Sequence, residues 1–107
     1  MGRAARLKPE RLAEKLLQIR LALGLSQNEM IRHLGLEEVL YQSNLSGYET
    51  GEREPPLPIL LRYARAANVI VDALIDDELD LPSELPSKAK HEGLRRKAAL
   101  RKRSSKT

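Results

Sequence analysis

The chain has 107 residues, 41% apolar but only 3% aromatic, a length that suits one small domain with a tail, since a second core would need roughly another hundred residues. A core limited to Leu, Ile, Val, Ala and Met favours helices over sheets, and the lack of Cys excludes disulfides, thiolate chemistry and Cys-ligated zinc. The net charge of +4 is uneven: residues 1–81 hold ten Lys plus Arg against thirteen Asp plus Glu, residues 82–107 nine against two.

A first helix is expected from Pro9, which suits a first helical turn, to a stop at Gly24. Leu12, Leu16, Ile19 and Leu23 fall within about 60° on a helical wheel, while Leu17 and Leu21 lie on the opposite side and need another partner or stay wet. Ser26 and Glu29 have capping-box spacing and open a second helix of about two turns, with Met30, Ile31 and Leu34 inward and Gly35 at its end. An acidic and apolar connector, Leu36 to Leu40, leads to a third segment, Tyr41 to Thr50, whose inward stripe is Leu45 and Tyr48 and whose stop is Gly51.

Glu52 to Pro56 reads as a loop, because consecutive prolines lack backbone donors. Pro58 opens a fourth helix with Leu57, Leu60, Leu61 and Ala64 on one side, and Asn68 ends it in the left-handed conformation. A fifth helix around Asp72 to Asp77 is expected to bury Leu74 and Ile75. The organisation is therefore a basic arm over residues 1–8, a helical domain over 9–81 and a basic tail over 82–107 that cannot build a core alone.

A short helix, a turn and a second short helix with small polar residues outward is the arrangement that places one helix in a DNA major groove. With Leu45 inward, Ser43, Ser46, Gly47 and Thr50 fall on the far side, and Gln42 and Ser43 occupy the end that meets base edges first. Gln pairs with adenine through two hydrogen bonds, and Ser suits several bases. Leu25 to Met30, then Leu45 to Leu57, then Val71 to Ile75, in this order, resemble the Cro/cI-type helix-turn-helix family, also called the xenobiotic-response-element family, over roughly Leu12 to Ile75.

The resemblance implies an all-α, compact, five-helix, lambda-repressor-like domain: a sequence-specific DNA-binding transcriptional regulator, dimeric on an inverted-repeat operator. It matches Gln42, Ser43, Ser46 and Gly47 to base-contacting positions and Gln27 to a phosphate contact. Thr50 and Arg53 are expected beside the DNA backbone, and the sideways Asn44 against either backbone or solvent. The resemblance also matches Arg20 and Glu49 to a pair bracing the first helix against the third, with Tyr48 in the core. Gly47, where the family often carries a polar reader, fits either a close backbone approach to DNA or a tight helix crossing. Gly35 to Gly51 is about four residues longer than the family leads one to expect, the surplus Glu37 to Leu40 lying in the turn, a change that could displace the third helix.

The recognition segment holds no Lys or Arg, so phosphate attraction is expected from Arg3, Arg6 and Lys8 and above all from Lys88, Lys90, Arg95, Arg96, Lys97, Arg101, Lys102, Arg103 and Lys106. Without DNA this tail is expected to fold back on Asp76, Asp77, Glu78 and Asp80. Homodimerisation is assigned to Ile70 and Ala73, with Leu17 and Leu21 as the rival surface. His33 and His91 have no partner at metal spacing, and no nucleophile has a base beside it, so neither catalysis, metal, cofactor nor small-molecule ligand is expected. No apolar run approaches the roughly 18 residues of a membrane span and no secretory signal opens the chain, so a soluble cytoplasmic protein is expected. The alternative is a protein-interaction adaptor, antitoxin-like or coactivator-like, on the same fold, with the tail binding nucleic acid nonspecifically.

Overall fold

The computed structural model describes residues 7–85. Five helices follow in order, α1 Leu12–Leu23, α2 Gln27–His33, α3 Gln42–Thr50, α4 Leu57–Ala67 and α5 Val71–Ile75, and the described residues contain no strand. The protein is all-α, with α1 packed against α3, α4 and α5.

Local chemistry sets most of the helix ends. Ser26 Oγ accepts from the Glu29 N–H and Glu29 Oε1 accepts from the Ser26 N–H, so α2 starts on a complete capping box. Gly24 and Asn68 close α1 and α4 in the left-handed conformation. Leu12, Leu16, Ile19 and Leu23 of α1 are buried, as are Met30, Ile31 and Leu34 from α2 and its end and Leu45 and Tyr48 of α3. These side chains form one core, each fully buried Leu contributing about 1.5–3 kcal/mol.

The start of α1 is capped from far away. Pro9 lies outside the helix; instead the Asp77 carboxylate accepts from the Glu10 and Arg11 N–H groups at 3.0 Å, doing for α1 what a local Ser or Asp does elsewhere. Arg11 reaches back to the Asp77 carbonyl and the Asp80 carboxylate, so this part of the acidic cluster after α5 is tied to α1. The end of α5 is held by Lys15, fully buried on α1, whose ammonium donates at 2.9 Å to the Ala73 and Asp76 carbonyls. A cation at a helix C-terminus meets both the orphan carbonyls and the negative end of the helix dipole.

Several expected details differ. The inward face of α4 is Ile59, Leu60, Tyr63, Ala64, Ala66 and Ala67, whereas Leu57 and Leu61 are exposed, because Tyr63 and the alanines let α4 lie close to the core. Within α5, Ala73 is buried and Ile75 largely exposed, so Ala73 is lost as a dimer contact while Ile70 remains exposed. Leu17 is half-buried and Leu21 exposed. Leu81 is buried and Leu85 packs against the core, so the folded unit runs past residue 81. Arg3, Arg6 and the basic tail from Pro86, with its supposed return to the acidic cluster, lie outside the described residues.

The Asp77 cap makes stability pH-dependent. Hydrogen bonds from the Glu10 N–H and then the Arg11 N–H hold this carboxyl below its ordinary range. Its stabilisation is complete above the ordinary carboxylate pKa and is lost as pH falls through the lower value of the folded protein. Melting temperatures measured across that acid window should therefore fall less steeply for Asp77→Asn than for the wild type, with the wild type the more stable at neutral pH.

Candidate nucleic-acid interface

The inward face of α3 decides what its other face can do. Leu45 and Tyr48 anchor it in the core, which leaves Gln42, Ser43 and Thr50 exposed and Ser46 half-buried on the opposite side. Gln42 is the first residue of the helix, and Asn44 Oδ1 accepts from the Tyr41 N–H at 2.8 Å, fixing the start of α3. Asn44 is half-buried, with its oxygen committed to that cap. The Thr50 hydroxyl donates to the Gly47 carbonyl at 3.2 Å, finishing the helix before the turn at Gly51, where φ is +85° and glycine avoids the Cβ clash.

A buried ion pair fixes α3 against α1. Arg20 donates through Nε to Glu49 Oε2 at 2.7 Å and through Nη2 to Oε1 at 3.0 Å, and its Nη1 donates to the Leu25 carbonyl. The side chains are 14% and 4% exposed, so a two-pronged pair forms where water competes poorly. Glu49 raises the Arg20 pKa further, mainly through these hydrogen bonds. Gln27 of α2 donates to Glu49 Oε1 at 3.0 Å, and Gln42 donates to Gln27 Oε1 at 3.0 Å. The structure thus brings Arg20, Glu49, Gln27 and Gln42 into one run of hydrogen bonds across three helices.

The nearest neighbour of Gly47 is the Arg53 side chain rather than open solvent. Gly47 is buried beneath Arg53, and a Cβ built there would lie 2.9 Å from Arg53 Cδ and 3.0 Å from Cγ. The Arg53 N–H also donates to the Gly47 carbonyl. The missing side chain makes room for the Arg53 stem, which places an exposed arginine beside the outward face of α3.

The long connector between α2 and α3 closes on itself. The Val39 and Leu40 N–H groups both donate to the Leu36 carbonyl at 2.9 Å, and Leu36 and Leu40 are buried, so the surplus residues form one plugged turn. Arg62 of α4 donates to the Leu34 carbonyl and steadies the end of α2. Val39 and Tyr41 point outward, 66% and 79% exposed, next to Gln42. Neither residue was among the site residues expected from sequence, and nor was Arg32, exposed on α2.

Away from this face, an open groove of about 440 Å³ runs along Leu7, Pro9, Leu12, Pro55, Leu57 and Ile75, and no outward residue of α3 lines it. Among the described residues no helix is long and apolar enough to cross a membrane, and no group of His, Asp and Glu has metal-binding geometry.

A family model described as a helix-turn-helix domain matches residues 3–77, most of the chain and all five helices. The chain belongs to the helix-turn-helix domain family. No curated protein and no solved structure gives a significant match. Membership points to DNA-binding regulation.

Removing one member of a buried ion pair strands the other. Glu49→Ala is expected to destabilise the domain by about 3–5 kcal/mol in urea denaturation. Replacing Arg20 and Glu49 together by Met should recover most of that loss.

Proposed function

We propose that the protein is a sequence-specific DNA-binding transcriptional regulator whose α3 enters the major groove. The observation that carries this reading is the exposed Gln42–Ser43 end of a helix whose other face is held by Leu45, Tyr48 and the Arg20–Glu49 pair. At nine residues α3 is about 13 Å long, and the groove, about 12 Å wide, admits a helix of this kind. Gln42 and Ser43 would read base edges and Ser46 would touch the next step. Gln27 would reach phosphate with its second amide N–H, and Arg53 and Arg32 would lie over the backbone. Asn44 and Thr50 would contribute less, since part of their bonding capacity closes the ends of α3.

Charge gives the tail its part in this proposal. Residues 7–85 carry eight Lys plus Arg against fourteen Asp plus Glu, and Arg11, Lys15, Arg20 and Arg62 are engaged within the fold. Phosphate attraction would come chiefly from the cations at residues 3, 6 and 88–106, adding affinity without sequence preference. A homodimer on an inverted repeat would place two copies of α3 about one duplex turn apart. Exposed Leu57, Leu61, Ile70 and Ile75 offer a larger apolar surface for it than Leu21 with half-buried Leu17.

Selection of bound duplexes from a random pool at near-physiological salt tests the reading. The wild type is expected to enrich one half-site. Replacing Gln42 and Ser43 together by Ala should cost about 1–3 kcal/mol of discrimination at the pairs they meet while sequence-blind binding persists. Binding that enriches no sequence would favour the adaptor reading.

A further inference from the structure

Three of the four glycines among the described residues are explained by their backbone. Gly24, Gly35 and Gly51 have φ of +73°, +74° and +85°, where a side chain is strained. Gly47 does not share that conformation. It lies inside α3, where glycine weakens a helix relative to alanine, so its reason is space. One side chain fills that space. A Cβ at this position would lie 2.9 Å from Arg53 Cδ, 3.0 Å from Cγ and 3.4 Å from Arg53 Cβ, so the arginine stem runs flat across the helix over Gly47.

The backbone of Arg53 is held in place. The turn at Gly51 returns the chain over the end of α3, and the Arg53 N–H donates to the Gly47 carbonyl at 3.1 Å. Added bulk at residue 47 is therefore relieved by swinging the stem off the helix, and the exposed end of Arg53 moves with it. The seat lies on the side of α3 away from Leu45, beside Ser43 and Thr50. Positive charge is scarce there: α3 carries no Lys or Arg, and Arg11, Lys15, Arg20 and Arg62 are engaged elsewhere in the fold.

We propose that Gly47 is a positioning residue, whose missing side chain seats the Arg53 stem across α3 and so holds the guanidinium over a DNA phosphate flanking the groove. The proposal rests on α3 being the groove helix. It differs from a close approach of the Gly47 backbone to DNA in one respect: the glycine matters only through Arg53.

A double-mutant cycle separates the two. Full-length wild type, Gly47→Ala, Arg53→Ala and the variant carrying both are compared on the duplex that the wild type enriches from a random pool, with affinity followed against salt. Thermal melting by circular dichroism verifies the fold of each. The double variant, in which the new methyl has room, keeps the comparison decisive should Gly47→Ala alone lose stability. Arg53→Ala is expected to reduce the slope of log affinity against log salt by about 0.9 for each bound subunit, with the preferred sequence unchanged, as one lost phosphate contact requires. Gly47→Ala should reduce it by the same amount, and the double variant no further than either alone.

An unchanged slope in Arg53→Ala or in Gly47→Ala would overturn the proposal. So would a further loss of affinity when Gly47→Ala is added to Arg53→Ala, the mark of helix backbone pressed against DNA. A changed base preference in Gly47→Ala at unaltered slope would contradict it too, by placing residue 47 at the base edges. A wild type that enriches no duplex would overturn the groove reading itself, and this refinement with it.

Discussion

The interaction on which the rest depends is the contact between Arg20 and Glu49. It joins the core-spanning α1 to the short α3, and it sits where a neutral or unpaired group would leave the other charge stranded. A nine-residue helix has little stability of its own, so α3 persists because its neighbours hold it. Leu45 and Tyr48 supply the apolar grip, while the ion pair fixes rotation about the helix axis, which decides which side chains stand outside. A slip by one residue would bring Ser46 toward the core and turn Leu45 toward solvent.

Around that brace, long-range polar contacts replace local ones at several helix ends. Asp77 caps α1, Lys15 closes α5 and Arg62 bonds the end of α2, each from an element remote in sequence. These contacts draw on the limited supply of cations, so the folded part is left acidic toward a polyanion. On the proposed reading, shape and hydrogen bonding at α3 would serve sequence recognition, and the cationic ends of the chain would supply most of the phosphate attraction. The plugged turn at Leu36 to Leu40 keeps the lengthened connector from loosening the start of α3 and sets Val39 and Tyr41 beside it.

Much of this was legible in the sequence where the signal is local. Ser26 with Glu29 marks a helix start, Gly24, Gly51 and Asn68 mark stops, and the stripes Leu12/Leu16/Ile19/Leu23 and Leu45/Tyr48 mark the inward faces of α1 and α3. The misread parts belong to tertiary packing. Leu57 and Leu61 look like a core face of α4 until Tyr63 and the alanines take that side, and Pro9 looks like a helix start until Asp77 caps α1 further on. Lys15 gives no hint of burial, because its acceptors are carbonyls about 60 residues away. Gln27 and Gln42 were both named from sequence as separate contacts; that they bond to each other emerges only when α2 and α3 are packed together.

The most direct check of the groove assignment is to map side-chain amide and backbone NMR resonances of the full chain as a selected duplex is added. The account requires the largest shifts at Gln42, Ser43 and Ser46, with Gln27 following and smaller changes than these along the groove at Leu57 and Ile75. Large changes along that groove, with the first turn of α3 silent, would contradict it.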